Sequence, residues 1–123
     1  MRWDGVSSCR GQYIEDFYPE NNVVLNAVKN ICSGCPTRTA CLIASIPERH
    51  GFWAGKTMSD RDRLRKSAGI TLSRDDADVP KYRAAADEGW RTGDYATALG
   101  KVVGADTASR ILEADGVISR RVA

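Results

Sequence analysis

The stretch that decides the fold is residues 32–41, CSGCPTRTAC, in which Cys32, Cys35 and Cys41 follow the spacing C-x2-C-x5-C. The only other cysteine of the chain, Cys9, lies upstream of them. Four thiolates can complete the coordination of a metal ion or an iron–sulfur cluster without help from His, Asp or Glu. The four cysteines are therefore the candidate metal ligands.

The spacing leaves three interpretations of these cysteines open. Zn²⁺ accepts four thiolates, but zinc ribbons generally pair two C-x2-C knuckles, and here Cys9 stands alone. A redox dithiol of Cys32 and Cys35 would need a βαβ context that the sequence lacks. An iron–sulfur cluster suits two close cysteines, one a little further along and one distant. The spacing favours the cluster over zinc, and zinc over the dithiol.

The composition is typical of a globular protein that does not enter a membrane. Of the 123 residues, 42% are hydrophobic and 28% are charged, and the net charge of +2 is too small to indicate a partner. No apolar run approaches the ~20 residues that span a bilayer, and no secretion signal is visible. We therefore expect a cytoplasmic protein, whose cysteines bind a metal or do redox chemistry rather than form structural disulfides.

Periodicity and capping residues predict a mainly α fold. A first helix is expected after Asn21 or Asn22, with Cys32 and Cys35 on its apolar side, and a second after Pro36. The second helix carries Cys41 and ends or kinks at Pro47, which cannot donate a helical hydrogen bond. Later helices are predicted from a Ser59 cap, with Asp62 as its capping-box acid, through Lys66, and over about residues 80–90, 94–103 and 106–114.

A polar, aperiodic stretch divides the chain into two predicted units. Residues 1–68 form a small helical domain bound to the cysteine site, residues 69–79 a linker, and residues 80–123 a small unit of three helices. In the last unit Ala98, Val103, Ala108, Ile111 and Leu112 fall at spacings similar to a helix-turn-helix. The alternative is a plain helical bundle that braces the first domain or binds a protein.

Several short motifs, in the same order, resemble the WhiB-like family of actinobacteria and their phages, over about residues 3–68. They are Trp3, the triplet Cys9-Arg10-Gly11, DFYPE at 16–20 in place of the family's LFFPE, the cysteine stretch itself, GFWAG at 51–55 in place of G-[VI]-W-G-G, and SDRDR at 59–63 in place of SERER. The chain departs from the pattern at Ala54, where the family usually has glycine, and in a short segment between Cys41 and Gly51.

The resemblance implies a cofactor and a partner. Family members bind a 4Fe–4S cluster and act in transcription, so Cys9, Cys32, Cys35 and Cys41 are its implied ligands. Loss of a cluster that ties Cys9 to the helical cysteines should loosen so small a fold, which is a way to sense oxidants or nitric oxide. The alternative is a cluster that is only structural. The aromatic turn at residues 51–55 is implied to bind region 4 of the primary sigma factor in RNA polymerase. The alternative is that its tryptophan is a buried core residue. The implied partner-binding residues are Trp53, Phe52, Phe17, Tyr18, Pro19 and Trp3.

Basic residues after the turn contribute to DNA contact in the family, although a charge run is more often a solvated helix face. The candidates here are Lys56, Arg61, Arg63, Arg65 and Lys66, together with Arg110, Arg120 and Arg121 in the C-terminal unit.

The leading interpretation is thus a non-enzymatic transcription regulator that binds the sigma factor and DNA and has no small-molecule substrate. An apo-form protein disulfide reductase using Cys32 and Cys35 is one alternative. A zinc-stabilised DNA-binding or adaptor module is the other.

Overall fold

The computed structural model of the chain describes residues 30–31, 35–49, 51–73 and 76–116. These residues form five helices: α1 (Arg38–Ser45), α2 (Met58–Ala68), α3 (Val79–Thr92), α4 (Tyr95–Val103) and α5 (Ala105–Ala114). In the same ranges, β structure is limited to an isolated antiparallel bridge between Trp53 and Lys56. The predicted mainly helical fold is confirmed. No described helix is long and apolar enough to cross a membrane.

Helix α1 follows the cysteine stretch as predicted. A turn at Pro36 and Thr37 precedes it, and the helix ends at Ser45, two residues before Pro47. Of the helix predicted further upstream, residues 30 and 31 are helical, and the rest of that prediction lies outside the described residues.

The start of α2 corrects the sequence prediction. Thr57, not Ser59, is its N-cap: the Thr57 hydroxyl accepts a hydrogen bond from the Asp60 amide at 3.1 Å, and the Asp60 carboxylate accepts one from the Thr57 amide at 2.9 Å. The prediction was wrong because the same capping-box spacing occurs twice, at Thr57 with Asp60 and at Ser59 with Asp62. The backbone of Thr57 is extended, as a cap requires, whereas Ser59 is already helical.

The helices of the C-terminal half form where the sequence predicts them. The Asp94 side chain caps α4 by accepting a hydrogen bond from the Thr97 amide at 3.1 Å. Helices α3 and α4 come very close at Gly89, where an added Cβ would lie 2.3 Å from the Tyr95 ring. Gly104, with a φ of 90°, is the single residue between α4 and α5.

One hydrophobic core runs through both predicted units. Helix α3 packs against both α1 and α4, α4 packs against α5, and α2 contacts α5. Small side chains let these short helices approach closely, so that α1 shares its core with α3–α5 among the described residues. The described helices of both predicted units thus share buried residues, and the division into residues 1–68, 69–79 and 80–123 stays a prediction. The buried members of this core are Ala40, Ile43, Ala44, Ile46, Tyr82, Ala85, Ala86, Ala98, Leu99, Ala108, Ile111 and Leu112.

Candidate metal centre and tryptophan turn

Two of the four candidate metal ligands lie at the start of α1. Cys35 lies before the turn at Pro36 and Thr37 that leads into the helix, and its carbonyl accepts a hydrogen bond from the Arg38 amide at 3.3 Å. Cys41 lies one turn into the helix, where its amide donates to the Thr37 carbonyl at 2.9 Å. Both cysteines are half-buried, and the Cys35 Sγ is 3.2 Å from the hydroxyl of the buried Thr37. One cysteine therefore lies in the turn region before α1 and the other in its first turns.

This donor set fits a thiolate-bound metal centre. The described residues contain no group of three or more His, Cys, Asp or Glu side chains that could hold a metal ion. A metal held by Cys35 and Cys41 would need further ligands, and the two that the sequence predicts, Cys9 and Cys32, lie outside the described residues. Sulfur donors suit an iron–sulfur cluster or zinc. The predicted partner-binding residues Trp3, Phe17, Tyr18 and Pro19 also lie outside the described residues.

The aromatic segment after α1 forms a tight two-residue hairpin. The Trp53 amide donates to the Lys56 carbonyl at 3.1 Å, and the Lys56 amide donates to the Trp53 carbonyl at 2.8 Å. The two central residues, Ala54 and Gly55, have φ angles of 53° and 79°. Hairpins with positive φ at both central positions match the twist of the paired strands, which is why glycine is favoured there. Residues 53–56 are called the tryptophan turn below.

The two aromatic residues of this segment have different environments. Phe52 is 4% exposed and belongs to the interior, whereas Trp53 is only half-buried. The burial of Phe52 leaves little of its side chain for a partner, which speaks against its predicted partner-binding role. Trp53 keeps a solvent-accessible part of its side chain on the turn.

Two arginines of α2 are buried against backbone carbonyls. Arg61 is 1% exposed and donates from Nε to the Glu48 carbonyl at 3.1 Å and from Nη1 to the Lys56 carbonyl of the turn at 3.0 Å. Arg65 is 8% exposed and donates to the Ile46 carbonyl at 2.8 Å. Its burial lowers the pKa of the guanidinium, and Asp62 opposes that shift. Both buried guanidinium groups are thus hydrogen-bonded, as buried polar groups generally are.

These contacts correct the prediction that Arg61 and Arg65 bind DNA, because a buried guanidinium bonded to carbonyls is not presented to a phosphate. A signal for this role was present in the sequence. Beyond its first turn, α2 has only Leu64 and Ala68 as apolar residues, so its inner face has to be filled by the aliphatic stems of longer side chains.

Three of the remaining basic candidates, Arg63, Lys66 and Arg110, are accessible. Arg63 and Lys66 have side chains 72% and 77% exposed, and they pair with Asp60 and Asp62 on the outer face of α2. Arg110 is exposed on α5. Such surface ion pairs are worth ~0–1 kcal/mol and are easily exchanged for another anion. Lys56 is mostly covered and paired with Asp115, and Arg120 and Arg121 lie outside the described residues.

The helix-turn-helix resemblance is limited to the order of elements and their buried side chains. Ala108, Ile111 and Leu112 of α5 are buried as that pattern requires. The connection is shorter than usual, since Gly104 alone joins α4 to α5 and the motif generally has a turn of about 3–4 residues.

The comparisons with known proteins identify the family of the chain. Residues 3–64 match the family model described as Transcription factor WhiB, so the chain belongs to the WhiB family. It is 37% identical to the transcriptional regulator WhiB2 of Mycolicibacterium smegmatis over 71 residues, which is 56% of this chain and 54% of that protein. It is 32% identical to the transcriptional regulator WhiB of Streptomyces coelicolor over 70 residues, 55% of this chain and 80% of that protein.

The transcriptional regulator WhiB2 of Mycobacterium tuberculosis is 35% identical over 71 residues, 56% of this chain and 78% of that protein. The matched segment thus spans about half the length of the M. smegmatis relative. Helices α3, α4 and α5 lie beyond the residues that the family model matches.

Proposed function

We propose that the chain is a non-enzymatic transcription regulator that binds region 4 of the primary sigma factor within RNA polymerase. The observation that carries the proposal is the half-exposed Trp53, held on a hairpin whose carbonyls at Lys56 and Ala54 accept hydrogen bonds from Arg61 and Arg38. Tryptophan is enriched among the residues that dominate binding energy at protein interfaces. A side chain held in its binding shape loses little entropy on association.

The same proposal assigns a 4Fe–4S cluster to Cys9, Cys32, Cys35 and Cys41. The cluster, when bound, supplies a centre that oxidants or nitric oxide can destroy. Helix α1 links this centre to the partner surface, because it carries Cys41 and because the Arg38 Nε donates to the Ala54 carbonyl at 3.2 Å. Loss of a ligand set that ties two segments together loosens a small fold. Loosening of the fold at the cysteines would therefore also affect the conformation of the tryptophan turn.

DNA contact is assigned to the accessible basic residues Arg63, Lys66 and Arg110. Such residues neutralise phosphates, which makes binding dependent on salt and largely blind to sequence. Replacing Arg63 and Lys66 by Gln should lower DNA affinity and reduce the salt slope by about 1 for each lost phosphate contact. Replacing the exposed Arg91 of α3 by Gln is the control, and an equal loss in that variant would mean that only net charge matters.

We place the protein with RNA polymerase in the cytoplasm.

Trp53→Ala tests the partner assignment. Truncation of an interface tryptophan should lower the affinity for sigma region 4 by ~30- to 1,000-fold, at ~2–4 kcal/mol. Visible absorbance of the anaerobically purified protein should persist. Trp90→Ala is the matched control, because Trp90 packs against the core and its loss should reduce stability but not affinity. Retention of both colour and sigma affinity in the Trp53→Ala protein would contradict the assignment of sigma region 4 as the partner of this turn.

Single Cys→Ala changes test the cofactor. Each of the four should give a nearly colourless protein without four bound irons, because a site that lacks one thiolate ligand no longer holds the cluster. Full iron content in Cys9→Ala would contradict the ligand set. A colourless wild-type protein with stoichiometric zinc would support the zinc module instead. Thiol-dependent reduction of insulin by the apo-protein, lost in Cys32→Ala, would support the disulfide reductase.

A further inference from the structure

Asp115, directly after the last residue of α5, carries a buried carboxylate. Its side chain is 4% exposed, and its Oδ1 lies 3.2 Å from the Arg38 Nη2 and 3.1 Å from the Lys56 Nζ. The second oxygen, Oδ2, is buried and has no hydrogen-bond partner within the described residues. A buried carboxylate is costly unless cations stay beside it. Asp115 therefore restrains Arg38 and Lys56.

Both cations are connected to the tryptophan turn. The guanidinium of Arg38 uses its Nη2 for Asp115 and its Nε for the Ala54 carbonyl, at 3.2 Å. Lys56 closes the hairpin through its two backbone hydrogen bonds with Trp53. The Asp115 carboxylate is thus connected through Arg38 to the centre of the tryptophan turn and through Lys56 to its last position.

The turn needs such support because of Ala54. A left-handed backbone costs a residue with a Cβ on the order of 1 kcal/mol relative to glycine, and Ala54 has a φ of 53°. Backbone strain of this kind persists when the surrounding contacts over-determine the conformation. The hydrogen bond from Arg38 to the Ala54 carbonyl is one of those contacts, and Asp115 holds the arginine in place to make it.

We infer that Asp115 is a positioning residue for the tryptophan turn, so that the C-terminal helices set the shape of the partner surface. These helices lie beyond the family match, which makes the contact a feature of this chain's own extension. The inference that Asp115 orders the turn stands on the geometry. Its consequence for affinity rests on the proposed function, in which the turn binds sigma region 4.

Asp115→Asn tests the inference, with Glu113→Gln as the matched control, since Glu113 is exposed on the same helix. Hydrogen exchange of the full-length protein, purified without oxygen, is followed by mass spectrometry on peptides covering residues 51–57 and 95–103. In Asp115→Asn the turn peptide should exchange about tenfold faster, equivalent to ~1.4 kcal/mol, while the α4 peptide keeps the wild-type rate. Affinity for sigma region 4 should fall by a similar factor. Glu113→Gln should change neither quantity.

Two results would overturn the inference. Wild-type exchange in the turn peptide would show that Asp115 does not order the turn, and equal acceleration in both peptides would show that it only adds global stability. If Asp115→Asn fails to fold, Arg38→Lys keeps the positive charge but removes the guanidinium bridge, and the same local acceleration is expected. If the wild-type protein does not bind sigma region 4, the proposed function fails, and the exchange result still decides the role of Asp115.

Discussion

The tryptophan turn and the α3–α4 core are stabilised in different ways. The turn is fixed by charged side chains that donate to backbone carbonyls, from Arg61 below and Arg38 at its side. The core between α3 and α4 is apolar, with Leu99 fully buried and Gly89 in close contact with Tyr95. Hydrogen bonds have a direction and specify one shape, whereas apolar burial is roughly proportional to area and supplies stability. The comparison separates residues that define a binding surface from residues that keep the chain folded.

The largest effect on stability is expected from Leu99→Ala in the core. Removal of a fully buried leucine should lower the free energy of unfolding by ~2–5 kcal/mol, measured by urea denaturation. Affinity for the partner should be retained in protein that remains folded, because the tryptophan turn is held by other contacts. A loss of affinity much larger than the unfolded fraction explains would show that the core and the tryptophan turn do not act separately.

Arg61→Ala should lower the free energy of unfolding by ~2–4 kcal/mol. The Glu48 and Lys56 carbonyls would each lose a charged donor, and a hydrogen bond to a charged group contributes ~1.5–3 kcal/mol. Unlike the core variant, the folded Arg61→Ala protein should also show faster hydrogen exchange in residues 51–57.

Arg63→Ala is the control for Arg61→Ala, since Arg63 lies on the outer face of the same helix and its side chain is 72% exposed. Its stability should change by less than ~0.5 kcal/mol. Equal effects of the two substitutions would show that burial of Arg61 does not matter.

Apart from the Arg63→Ala control, the smallest effect is expected from Asp60→Asn, at ~1 kcal/mol for one arm of a capping box. Burial opposes ionisation of Asp60, but the hydrogen bonds from Thr57 and the charge of Arg63 hold the pKa of its carboxyl below the ordinary value of 3.8. A lowered pKa in the folded state stabilises the protein above the unfolded pKa, and this contribution is lost as the pH falls through the folded pKa. Wild type and variant should therefore differ at pH 7 in thermal unfolding and converge in acid, once the pH has fallen below the lowered pKa of Asp60. A difference that persists in acid would exclude the carboxylate as the cause.

Local signals in the sequence predicted most of the helices. Pro47, Asp94 and Gly104 mark helix ends because a missing N–H, a capping carboxylate and a left-handed backbone act over a few residues. The α2 cap was misplaced because two identical spacings compete, and only the backbone conformation of Thr57 distinguishes them. The motifs in residues 3–68 also predicted the family, which the match over residues 3–64 confirms.

The candidate site was only partly predictable. The spacing of the cysteines and the aromatic turn are sequence features, and the structure places Cys35, Cys41 and Trp53 on or beside α1 and the hairpin. The roles of Arg61 and Arg65 were mistaken because a basic residue on a helix looks the same in sequence whether it meets solvent or a buried carbonyl.

The sequence by itself determined most of the described helical elements and the family, because these depend on residue type and on spacing along a short stretch. The tertiary structure alone decided that α1 and α3–α5 share one core, that the buried Arg61 donates to the tryptophan turn, and that Asp115 reaches Arg38. Arg38 and Asp115 are 77 positions apart, and the burial that makes their contact strong exists only once the helices have packed. Contacts of this kind leave no pattern along the chain, because the partner of each charge is chosen by packing and not by spacing.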